Sequence, residues 1–108
     1  MARRHTHAVL DLKRRFGDNL ILLRDRVDLS QEQIAVRSGL HKTQIGLLER
    51  GLRLPRLDTI VKLAGALEAE PCDLLYGMAW RLGIERGRPG AYVRSGADGA
   101  AAQRMASS

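Results

Sequence analysis

The stretch from residue 29 to 51, Leu-Ser-Gln-Glu-Gln-Ile-Ala-Val-Arg-Ser-Gly-Leu-His-Lys-Thr-Gln-Ile-Gly-Leu-Leu-Glu-Arg-Gly, constrains the fold of this chain more tightly than any other. Ser30 is a favourable N-cap, and Gln33 lies three residues further on, so the two can close a capping box that starts a helix at Gln31. Ile34 and Ala35 are the apolar positions of that helix, and the small Ala35 lets a second helix approach closely. Gly39 can take the left-handed conformation that stops it. A second helix of about ten residues is expected next, with Ile45 and Leu48 at i, i+3 spacing facing inward and Gly51 closing it. His41, Lys42, Thr43, Gly46 and Leu47 are then left facing out. Two short helices across a Gly-containing turn, the second with an exposed polar start, form the supersecondary unit that enters a major groove.

The same residues carry a family resemblance. Leu29-Ser30-Gln31-Glu32-x-Ile34-Ala35, Ser38-Gly39-Leu40, Ile45 and Leu48-Glu49-Arg50-Gly51 continue in register into Pro55-x-Leu57-Asp58-Thr59-x-x-x-Leu63-Ala64-x-Ala66-Leu67 and then Leu74-Leu75. This pattern resembles the phage-repressor (Cro/C1-type, XRE) family of helix-turn-helix DNA-binding proteins and covers residues 12 to 77. No single element of it is specific, since Ser-Gln-Glu before an apolar run can cap any helix; the whole set in register is. The resemblance implies an all-α, five-helix, lambda-repressor-like DNA-binding domain.

The helical pattern agrees. A first helix is expected from about Leu12 to Arg26, with Phe16, Leu20, Leu23 and then Val27 as its inward stripe. After the pair described above, Pro55 marks a break. A fourth helix from Leu57 to Leu67 spaces Ile60, Leu63, Ala64 and Leu67 for burial and places Asp58 in its first turn. A short fifth helix is expected to start at Pro71, pack Leu74 and Leu75, and end at Gly77. Phe16 is the only aromatic before residue 76, so the core must be aliphatic. The division expected is a flexible basic arm over 1–11, the DNA-binding domain over 12–77, an extension over 78–94 and a disordered tail over 95–108. Within the extension, two strands from 78 to 84 and 90 to 94 would make a hairpin. An isolated hairpin is marginal in water, so it needs a partner, which a second subunit could supply. The alternative is that Trp80 covers the end of the helical core.

Charge is unevenly spread under the net +6. Residues 1–15 carry five bases against Asp11, residues 16–77 eight bases against nine acids, and residues 78–108 five arginines against Glu85 and Asp98. Within the nearly neutral middle, Arg37, Lys42, Arg50, Arg53 and Arg56 face only Glu49 among the acids of 37–56. A basic face of this kind suits phosphate, with the acidic faces turned to water. No apolar run approaches the roughly 20 residues that span a bilayer, and the basic start is not followed by the apolar stretch of a signal peptide. Cys72 is the single cysteine, which rules out an internal disulfide framework and fits a reducing cytoplasm. A cytoplasmic, nucleoid-associated protein is expected.

In the resembled repressors the residues at and after the start of the third helix reach base edges. Here those positions are His41, Lys42, Thr43 and, one turn on, Leu47. Lys42 can donate to the guanine O6/N7 pair or to phosphate, and Thr43 to either. Leu47 departs from the polar residue often found there; it can meet a thymine methyl, face a partner or face solvent. Gln44 can read DNA or lie at the helix edge. The resemblance gives Gln31 a phosphate contact and a bracing role toward the first reading residue, unless it is only a good helix former. Ser30 and Arg53 flank the same backbone path, and Arg56 matches an arginine that some members place over the minor groove. Self-association is expected to involve Trp80, Tyr92 and Val93 in the extension, or Ile21 and Leu22, which make the first helix apolar all round over one turn.

Nothing in the sequence points to catalysis. His5 and His7 make a weak metal pair, no Gly-rich phosphate loop or activated nucleophile is evident, and no cofactor or metal is expected. Glu49 is expected to pack against Arg50 or the first-helix region. The expectation is a sequence-specific transcriptional regulator, a repressor bound to double-stranded DNA as a homodimer on a two-fold operator. Phage immunity repressors, antitoxins with a toxin as partner, and restriction–modification controllers all belong to this class. The rival is a protein-interaction adaptor that keeps the fold without reading bases. Gly46, Leu47, Ile21 and Leu22 favour the adaptor, and the five bases of 37–56 count against it.

Overall fold

A computed structural model describes residues 2–83 and 87–94, with side chains from residue 11 onward. The expected tail over 95–108 lies outside these residues. In order the chain forms α1 (Ala2–Arg26), α2 (Gln31–Ser38), α3 (Lys42–Glu49), α4 (Leu57–Ala66), α5 (Pro71–Leu74), β1 (Met78–Arg81) and β2 (Ala91–Arg94). The five helices and the terminal hairpin are those the sequence leads one to expect.

Local chemistry sets the helix ends. The Gln33 N–H donates to Ser30 Oγ (3.1 Å) while the Ser30 N–H donates to Gln33 Oε1 (2.8 Å), a closed capping box at the start of α2. Gly39 stops α2 at φ 75° with its N–H on the Ala35 carbonyl. Pro71 opens α5, where a missing N–H costs nothing. One boundary differs: α1 begins at Ala2 and not near Leu12. The basic arm had suggested flexibility, but residues 2–16 hold neither glycine nor proline, and charge density alone does not break a helix.

Phe16, Leu20 and Leu23 of α1 meet Ile34, Ile45, Leu48, Ile60, Leu63, Leu67 and Leu74 in one buried aliphatic cluster. Burying each such side chain fully is worth roughly 1.5–3 kcal/mol. Leu75, expected to pack beside Leu74, is exposed. In a helix of four residues, neighbouring positions point about 100° apart, so only one of the pair can face the core.

Two contacts seat the other helices on α1, and neither shows in the hydrophobic pattern. Gly17 lies against the end of α3: a Cβ there would sit 2.6 Å from the Glu49 carbonyl oxygen and 2.7 Å from that of Leu48. Mid-helix glycine costs about 1 kcal/mol relative to alanine, and here the absent side chain is what lets the two backbones touch. Buried Asn19 donates through Nδ2 to the carbonyls of Leu74 and Tyr76, both at 2.9 Å, and so ties α1 to the end of α5.

The hairpin pairs Met78 with Arg94, Ala79 with Val93, Trp80 with Tyr92 and Arg81 with Ala91. It is shorter than the expected 78–84 and 90–94. Pro89 has no N–H to donate, and Gly90 runs so close to the Arg81 carbonyl that a Cβ would not fit. The indole of Trp80 meets the Tyr92 ring edge-to-face, with centroids 5.0 Å apart and an interplanar angle of 79°. Trp80 therefore packs within the hairpin, is itself half exposed, and does not serve as a lid on the helical core.

Candidate nucleic-acid interface

α3 is fixed to the body by an ionic cluster at its last residue as well as by Ile45 and Leu48. Arg24, in the last turn of α1, donates from Nε to Glu49 Oε2 (2.6 Å) and from Nη2 to Glu49 Oε1 (3.1 Å), a two-pronged pairing of guanidinium and carboxylate. Its Nη1 donates to the Leu29 carbonyl at 3.0 Å. Gln31 Nε2 adds a further donor to Glu49 Oε1 at 2.8 Å. The Glu49 side chain is only 5% exposed and that of Arg24 19%, so water hardly competes. Hydrogen bonding to Glu49 raises the already high pKa of Arg24. One carboxylate thus binds the end of α3 to the end of α1 and the start of α2.

Of the two places expected for Glu49, the structure has it at the α1 region. Arg24 was not anticipated, although the sequence held a signal. It lies on the Leu20–Leu23–Val27 side of α1, where a base needs a buried acid opposite. Gln31 has a partner the sequence did not point to, its amide donating to Glu49.

The start of α3 is different. His41 is the N-cap, in extended conformation and without a side-chain capping bond, and His41, Lys42 and Thr43 are all exposed. Lys42 Nζ lies 2.9 Å from Glu32 Oε1 in the first turn of α2, with the two side chains 57% and 71% exposed. The Lys42 ammonium holds the Glu32 carboxyl below its usual range, chiefly through this hydrogen bond. Gln44, Gly46 and Leu47 are half-buried.

Around this edge lie the expected backbone residues. Ser30 is exposed and engaged in its capping box. Arg53 is exposed in the loop before α4. Arg56, the N-cap of α4, is exposed beside Asp58 at 3.5 Å. Arg50 donates to the Gly46 carbonyl at 3.2 Å, and Arg37 lies 3.5 Å from Glu68. The α2–α3 pair and the loop after it thus expose both neutral and cationic donors, the chemistry that meets phosphate oxygens and base edges.

Residues 20–74 match a family model described as helix-turn-helix, HTH_3. The chain belongs to this helix-turn-helix family. It is 42% identical to control protein C.SmaI of Serratia marcescens over 66 residues, 61% of this chain and 79% of that protein. It is 41% identical to control protein C.BamHI of Bacillus amyloliquefaciens over 61 residues, 56% of this chain and 75% of that one. Among solved structures it resembles the restriction-modification controller protein C.AhdI from Aeromonas hydrophila, with TM-score 0.56 and 45% identity over 57% of this chain and 94% of that one. This helix-turn-helix protein is a DNA-binding transcriptional regulator; these relatives favour neither the adaptor nor the antitoxin.

The residues of the two alternative dimer contacts are nearly all exposed. Ile21 and Leu22 are exposed on α1, Trp80 and Tyr92 are exposed on the hairpin, and Val93 is half-buried. The structure adds Leu57 and Val61, 78% and 53% exposed along α4. The sequence carried the signal, an i, i+4 apolar pair off the Ile60–Leu63–Ala64–Leu67 stripe. Among the described residues no cluster of His, Cys, Asp or Glu could hold a metal ion, and no helix is long and apolar enough to cross a membrane. Cys72 is exposed and forms no disulfide among the described residues. The side chains of His5 and His7 lie outside the described residues.

Proposed function

We propose that the protein binds a two-fold operator as a homodimer, one α3 in each of two successive major grooves, and represses or retunes transcription there. His41, Lys42 and Thr43 meet base edges, and Leu47 borders the same groove. Ser30, Gln31, Arg53 and Arg56 serve the backbone or the neighbouring minor groove. The observation that carries this reading is the pairing on one short helix of a buried ionic anchor, Glu49, with an exposed polar start. A reading helix must be held rigidly from behind and left open in front. The names of the relatives support restriction–modification genes as the regulated class.

One domain covers one half-site, and two are needed about 34–36 Å apart. The two-stranded sheet, with Trp80, Tyr92 and Val93, supplies the self-association surface in this reading. A second reading places it on α4, favoured by the exposure of Leu57 and Val61. Selection of bound duplexes from random DNA by the full chain tests the function. A two-fold motif with half-sites one helical turn apart is expected, with affinity falling steeply as salt rises. No enriched motif, or binding indifferent to salt, would overturn it.

A further inference from the structure

Lys42 stands at the first residue of α3, the positive end of that helix, where a cation is disfavoured. Glu32 stands in the first turn of α2, where an acid is favoured. The turn between the helices brings the two together at 2.9 Å. Both ends are fixed from behind, α2 by its Ser30–Gln33 capping box and α3 by Glu49 on Arg24 and Gln31.

Resting on the functional reading above, we propose that Glu32 is a specificity-determining residue, which positions Lys42 for a base edge and withholds it from generic phosphate. An ammonium has three N–H donors. With one on Glu32, two remain, matching the O6 and N7 acceptors that guanine offers in the major groove. Guanine is neutral, so Glu32 does not oppose that contact. A phosphate brought to the same ammonium carries like charge to Glu32 and competes with it for the cation. Base contact therefore retains the ion pair, whereas phosphate contact requires it to break. Glu32 needs no contact with DNA to do this.

The test measures affinity of the full chain for its selected operator and for a random-sequence duplex across a salt series. The variants are Glu32→Gln, Glu32→Asp, Lys42→Ala and Glu32→Gln with Lys42→Ala. Glu32→Gln is expected to tighten binding to the random duplex about two- to fivefold, the range of an exposed ion pair, without tightening binding to the operator. Its salt slope on the random duplex should steepen by up to about 0.9, one additional neutralised phosphate. Glu32→Asp should restore most of the lost discrimination. In the Lys42→Ala background, Glu32→Gln should leave the slope unchanged. An unaltered slope for Glu32→Gln alone overturns the proposal, as does an equal change with or without Lys42. Wild-type protein that binds neither duplex overturns the functional reading, and this proposal with it.

Discussion

The two ends of α3 use the same chemistry for different purposes. At its last residue, Glu49 pairs with Arg24, their side chains 5% and 19% exposed, and Gln31 and the Leu29 carbonyl complete their hydrogen bonding. At its first residue, Lys42 pairs with Glu32 at a similar distance with both side chains more than half exposed. A buried pair cannot exchange partners without leaving a charge stranded. A solvated pair exchanges at little cost. The difference separates the residues that hold the reading helix from those free to read, and it does so within eight residues of chain.

Substitutions at the two ends should therefore fail in different assays. Glu49→Ala leaves the Arg24 guanidinium largely buried without its acid and should cost roughly 3 kcal/mol of stability. Thermal unfolding would show this as a drop of roughly 10–20 °C for a domain of this size. Gly17→Ala forces α1 and α3 apart and should cost about 1–3 kcal/mol by overpacking, again read by thermal unfolding. A melting temperature unchanged in either variant would mean that the inner seam is not where α3 is held. Lys42→Ala should leave the melting temperature nearly unmoved while costing roughly 1–3 kcal/mol on the operator.

Smaller effects sharpen the account of the exposed start. Arg56→Ala should lower the salt slope of DNA binding by about one without changing the preferred sequence, since phosphate contacts position and do not specify. An altered preference at A·T-rich steps would instead move Arg56 into the minor groove. Lys42→Ala should also let the Glu32 carboxyl titrate higher, back in the ordinary glutamate range, because Lys42 is what depresses it. The depressed folded value means that the pair's contribution is full above the unfolded pKa and lost as pH falls through the folded one. A carboxyl-carbon NMR titration of the two proteins checks it. Truncation after Gly77 should give a folded monomer with weakened operator binding. A truncated protein that still sediments as a dimer would point to Leu57 and Val61, with Ile21 and Leu22 next.

What the sequence made legible was what short-range chemistry decides. The Ser30–Gln33 box, the left-handed Gly39, Pro71 at a first helical position and the Phe16–Leu20–Leu23 stripe depend on neighbours a few residues away, and each is present. The exposure of His41, Lys42 and Thr43 goes with their place at the N-cap and first turn of α3, ahead of the buried Ile45 and Leu48. What stayed hidden depends on partners far along the chain. Asn19 finds its carbonyls 55 and 57 residues away, and Arg24 finds Glu49 across 25. Nothing local to Gly17 says that a second backbone will lie against it. Leu75 and the start of α1 were misjudged for a different reason, since apolarity and charge were taken as proxies for burial and flexibility.

The central claim is that the exposed start of α3 chooses the sequence while its buried side only supports it. Parallel selections from random duplex DNA, with the wild-type chain and with Lys42→Ala, test it most directly. Wild-type protein should enrich a two-fold motif, and Lys42→Ala should enrich the same motif with preference lost at one base pair in each half-site. A folded Lys42→Ala protein that enriches the wild-type motif at full strength would contradict the account.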